Sequence, residues 1–189
     1  MPITPPGAAA VIAPNLLAVG MLGTAMPQFA LGVGTGLSLW APTVTVTSID
    51  VGTLGVGTGL GPVLIPPPLL LANLLISFTA TGIMGVMAPL KALGLSNGIS
   101  LALAQGVVQT INPIIGAGAG IAKFIPPPAI PQMIAGFAAV GMTGTSIVQM
   151  ATAIGMALMQ TFAVYVTPIV IVGAGSPTAG GGIGSGSIV

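Results

Sequence analysis

The chain has 189 residues, 54% of them apolar, with 30 glycines and 18 prolines, and only Asp50, Lys91 and Lys123 are charged. Soluble domains are about 25% charged, so this chain cannot clothe an ordinary wetted exterior and must be covered by lipid, by partner subunits or by copies of itself. Without Glu, Arg, His or Cys it has no clustered metal ligands, no Ser–His–Asp or Cys–His nucleophile and no carboxylate pair, and two lysines neutralise too few phosphates to hold nucleic acid.

The predicted elements run as follows. The segment Met1-Pro2-Ile3-Thr4-Pro5-Pro6-Gly7 lacks a basic n-region and is expected to be no secretory signal. Proline runs such as Pro5-Pro6 predict an extended, polyproline-like lead-in. Gly32 and Gly36 are four apart, and on a helix they share a face where two backbones can touch. Trp40 is placed as a candidate interfacial anchor. Thr43-Val44-Thr45-Val46-Thr47 reads as a strand, and Gly55-Val56-Gly57-Thr58-Gly59 as a loop or extended passage with close backbone approach.

After Pro66-Pro67-Pro68, the apolar stretch 69–78 reads as helix by its Leu and Ala content. Gly94 and Gly98 repeat the four-residue spacing. Gly116 to Gly120, followed by Lys123, invites a phosphate loop, but Pro126 interrupts the helix that would hold the phosphate. Residues 146–164 form the strongest predicted helix, carrying Ala151 and Gly155 as the third small-residue pair. Val164-Tyr165-Val166-Thr167 reads as a strand, and 176–189 as a flexible or partner-ordered Gly/Ser-rich arm. The methionines, among them Met21, Met26, Met84, Met87, Met142, Met150, Met156 and Met159, are expected to fill apolar gaps.

Self-similarity organises these elements. Ala18-Val19-Gly20-Met21-Leu22-Gly23 recurs as Ala80-Thr81-Gly82-Ile83-Met84-Gly85, 62 residues on, and as Ala139-Val140-Gly141-Met142-Thr143-Gly144, 59 residues further. The expected fold is mainly α with short extended or β segments: one domain, 1–177, of three tandem units (about 5–65, 66–125 and 126–177), with 178–189 as a flexible tail. A closed pseudo-three-fold arrangement suits units that cannot bury their apolar faces alone, because a linear stack would need polar caps. The alternative is a polytopic α-helical membrane protein with spans at 16–37, 69–90, 99–121 and 133–158.

The strings Pro27-Gln28-Phe29-Ala30-Leu31-Gly32, Gly141-Met142-Thr143-Gly144 and Pro168-Ile169-Val170-Ile171-Val172-Gly173 resemble hydrophobic structural proteins of tailed-bacteriophage virions, particularly contractile-tailed ones, over residues 1–177. The resemblance implies a virion component in the tail or baseplate and transfers no functional residues. The expected function is therefore structural, with the apolar surface covered by other subunits of a large assembly or by further copies. An integral membrane protein (a small channel or holin-like pore), or a particle-stored protein that inserts into a host membrane, is the alternative. No catalysis and no cofactor are expected. The one nucleophilic pairing open to the composition, Lys91 with Ser96 or Ser100, sits in a Gly-rich apolar stretch without a nucleophile elbow. Gly32, Gly36, Gly94, Gly98, Ala151 and Gly155 are the candidate helix-packing residues.

Overall fold

A computed structural model describes residues 3–53, 56–61, 63–64, 67–105, 107–112, 118–125, 129–164, 167–172 and 180–187. Among the described residues six packed helices form the body of the fold: α1 (Pro5–Ala18), α2 (Met26–Trp40), α3 (Pro67–Ala80), α4 (Met87–Ala104), α5 (Ala129–Ala138) and α6 (Thr145–Val164). Prolines begin these helices rather than lead into them. Pro5 and Pro6 open α1, Pro27 lies in the first turn of α2, Pro67 opens α3, and Pro89 and Pro131 are third in α4 and α5. A first-turn N–H has no carbonyl to bond, so proline loses nothing there and its fixed φ already suits a helix. Thr4 completes the start of α1, its hydroxyl accepting from the Gly7 N–H at 3.3 Å.

The helices pair as antiparallel hairpins joined by short turns, and the three turns are built alike. Gly20, Gly82 and Gly141 sit at φ +80°, +78° and +77°, left-handed conformations that an L side chain rarely adopts. At each, the next residue donates back six residues along: Met21 N–H to the Leu16 carbonyl at 3.0 Å, Ile83 to Phe78 at 2.8 Å and Met142 to Phe137 at 3.0 Å. This is the Schellman cap, in which a left-handed glycine satisfies carbonyls left bare at a helix end. A second glycine three residues on, Gly23, Gly85 or Gly144, again has positive φ, and its carbonyl accepts the first bond of the following helix.

Hairpins α1–α2, α3–α4 and α5–α6 pack on one another through α2 on α3 and α4 on α5, and α6 returns to pack on α1. The six helices therefore close a ring. Residues four, eight and twelve before the first turn glycine fill its centre: Leu16, Phe78 and Phe137, then Ile12, Leu74 and Met133, then Ala8, Leu70 and Ala129, all buried. The outgoing helices add Val33, Leu95 and Ile154, then Leu37, Ile99 and Leu158. Each large member contributes about 1.5–3 kcal/mol on burial. Buried Ser77 avoids an orphaned hydroxyl by donating to the Asn73 carbonyl at 2.6 Å, within its own helix.

A short 3-10 turn (Ala41–Thr43) follows α2. The backbone then forms strands β1 (Thr45–Thr53), β2 (Val56–Gly61), β3 (Val63–Leu64), β4 (Val107–Asn112), β5 (Gly118–Ile125), β6 (Thr167–Val172) and β7 (Gly180–Ser187). All pairings are antiparallel and run β1–β2–β4–β5–β6–β7 and back to β1, with β3 on β1. The glycine-rich arm is thus a strand over 180–187, because its backbone finds β1 on one side and β6 on the other. The block at 173–175 lies outside the described residues.

The proposed spans do not survive this geometry. The windows 16–37, 69–90 and 133–158 each straddle a turn, and 99–121 runs from α4 into β5. Among the described residues no helix is long and apolar enough to cross a membrane. Hydropathy averaged over a window cannot register a two-glycine reversal inside it. Trp40 is likewise no surface anchor: it is fully buried at the end of α2.

Candidate functional site

The predicted packing residues fall on two kinds of contact. A Cβ added to Gly32 would meet Thr81 Oγ1 at 2.8 Å and Phe78 at 3.0 Å, and one added to Gly36 would meet Leu74 at 2.7 Å. Both glycines therefore bring α2 against α3 of the next hairpin. Gly94 abuts the Phe137 ring, and Gly98 would press on Met133 Cα at 2.8 Å, bringing α4 against α5. On the other side of this seam Gly136 lies against Gly98 and Gly94 so closely that an added Cβ would fall on backbone atoms. Sequence reading missed Gly136. Its signal is weak, since it lies outside the four-residue spacing of the other pairs.

The third pair is displaced. Gly155 would meet Ile130 Cα at 2.9 Å, inside its own hairpin, and its counterpart is Gly34, which sits against Pro5 and Ala9 in the first hairpin. Counted from the second turn glycine, the residues matching Gly32 and Gly36 are Ala153 and Ala157, both buried. Ala151 is fully buried and matches Ala30 and Ala92. The sequence pattern was therefore read two residues out of register, because α6 holds small residues at 151, 153, 155 and 157 and spacing alone cannot choose among them. At this seam Asn15 Nδ2 of α1 donates to Gln160 Oε1 of α6 at 2.8 Å and to the Val11 carbonyl at 2.8 Å.

The seams interlock side chains, and the exterior is what remains for other molecules. The three turns lie at one end of the ring, since Gly32 meets the last residues of α3 and Gly94 meets Phe137 near the end of α5. That end carries Leu22, Met84 and Val86 at 80%, 76% and 88% exposure, with Met87 half exposed. Met84 and Met87 are therefore not core fillers, whereas Met133, Met142 and Met150 are. Around the flanks Leu17, Leu31, Leu39, Leu69, Leu75, Ile76, Leu101 and Val148 also face outward. Exposed apolar surface on this scale marks interaction.

Lys91 is the one charged residue whose side chain is described, and it stands beside this end. It lines an open cleft of about 450 Å³ between the first two turns with Thr24, Gln28, Thr81 and Met84. Its ammonium lies 5.9 Å above the Phe29 ring, and Phe29 in turn packs on Phe78 with ring centroids 5.6 Å apart. Ser96 is five residues further along α4, roughly 140° around the helix, and is buried. Lys91 and Ser96 are not brought together.

Compared with protein-family models, with curated proteins and with solved structures, the chain matches none.

Proposed function

We propose that this protein is a structural component of a tailed-bacteriophage particle, seated in the tail or baseplate, whose apolar exterior is covered by neighbouring subunits. The observation that carries the reading is an exterior with large apolar side chains both at the turn end and around the flanks, on a chain with three charges in all. Such a surface is costly in water and gains free energy wherever neighbours cover it. In this reading the chain is not an enzyme.

The same reading takes the chain as three units of a helical hairpin followed by strands, related by a pseudo-three-fold axis through the ring. Its support is the common hydrogen bonding of the three turns and the return of α6 onto α1. An object of that symmetry fits the axis of a three-fold or six-fold hub as a plug or adaptor.

Fractionation tests the proposal. The chain should co-purify with intact particles through a density gradient, at constant ratio to known particle proteins. Recovery instead in carbonate-washed cell membranes would overturn it and favour a membrane-inserted role, which the apolar exterior also permits.

A further inference from the structure

We propose that the Lys91 cleft receives a carboxylate from the side chain of a different protein in the assembly. The inference rests on the covered exterior argued above and names the chemistry of one partner at one place. Counted from the turn glycines, the positions matching Lys91 are Phe29 and Met150, both buried. A lysine therefore occupies a position that is apolar in the other two hairpins. Its ammonium rests against the Phe29 ring, a contact that favours a cation but does not neutralise it. The chain's single acid, Asp50, belongs to β1, which follows the opposite end of α2. From Phe29 to the end of that helix is already about 16 Å. Hence the chain brings no counter-charge to Lys91.

In open solvent that situation costs little. Once a neighbour covers the turn end, water leaves and an unpaired ammonium becomes expensive. A partner carboxylate removes that cost. Thr24 and Gln28 on the cleft wall can donate to its second oxygen, while exposed Met84 and Val86 beside it supply apolar contact. Charge complementarity of this kind fixes which partner docks and in what register.

The test uses intact particles treated with a water-soluble carbodiimide, which joins an amine to a touching carboxylate as an amide with loss of water. Mass spectrometry should find Lys91 linked to an Asp or Glu of another protein. In parallel, Lys91→Glu should lower incorporation into particles by about ten-fold or more, while Lys91→Arg incorporates normally and both variants keep the wild-type melting temperature. Equal incorporation of Lys91→Glu overturns the proposal and leaves the structural reading intact. A link to Asp50 of a second copy overturns the choice of a different protein. Absence of the unmodified wild-type chain from particles overturns the structural reading, and this proposal with it.

Discussion

Where α2 meets α3, and where α4 meets α5, glycines let the two helices touch, whereas between α6 and α1 the corresponding positions carry Ala153 and Ala157. The glycine seams set the helix separation by the absence of a Cβ, so Leu74, Phe78, Met133 and Phe137 press directly on a neighbouring backbone. The alanine seam adds a polar link, Asn15 to Gln160, between residues 145 apart in the chain. Close packing suits neighbours in sequence, whose relative position a short connection already restricts. The last seam must join the two most distant helices, where loop closure costs most. There a directional bond fixes register that shape alone leaves free. The difference teaches that one ring can be closed by two devices, steric at two seams and hydrogen-bonded at the third.

The largest effect expected is at the tightest glycine contact. Gly136→Ala would set a Cβ on the backbone of Gly98 and Gly94, atoms that cannot rotate away, and should cost about 3 kcal/mol or more. A denaturant titration with an unchanged midpoint would show that α4 and α5 are not in that contact. Gly94→Leu meets a phenylalanine ring that can tilt aside, so the expected loss is about 1–3 kcal/mol, read as a lowered melting temperature. Normal assembly yield and normal thermal stability for this variant would remove the steric account of the seam.

At the alanine seam, Asn15→Leu leaves Gln160 without its partner and should cost about 1–2 kcal/mol. The double variant Asn15→Leu, Gln160→Leu should recover part of the loss, since neither polar group is then stranded. If the double variant loses the sum of the single losses, the two side chains do not work as a pair.

Smaller and more informative is Gly20→Ala. No atom lies near the added Cβ, so the cost is backbone strain at φ +80°, about 1 kcal/mol. Gly82→Ala and Gly141→Ala should lose the same amount, and three unequal losses would argue against equivalent units. Least of all, Val86→Ser should change stability by under about 0.5 kcal/mol and reduce self-association in light scattering, because Val86 is 88% exposed.

Much of the helical body was legible before the coordinates. The helix at 146–164 is α6 (Thr145–Val164), and that at 69–78 is the body of α3 (Pro67–Ala80). Gly32, Gly36, Gly94 and Gly98 sit at helix contacts because only glycine fits there, and four-residue spacing makes such a face visible in one dimension. The turns were visible as recurring glycine pairs, though their reversal of chain direction was not. Gly136, the register of Ala153 and Ala157, and the burial of Trp40 were not legible, since each depends on which helix lies opposite. Lys91 could be seen as a rare charge, but not as a cation over Phe29.

By itself the sequence determined the setting of this protein: three charges on an apolar chain require a covered surface, and missing residue types remove whole classes of chemistry. It determined local breaks too, because a left-handed backbone turn selects glycine whatever surrounds it. Only the tertiary structure decided that apolar windows long enough to span a membrane are folded hairpins, and that the last helix closes on the first. Those outcomes depend on contacts between distant residues, such as Asn15 with Gln160, whose free energy exists only after the chain has folded and is written in no local pattern.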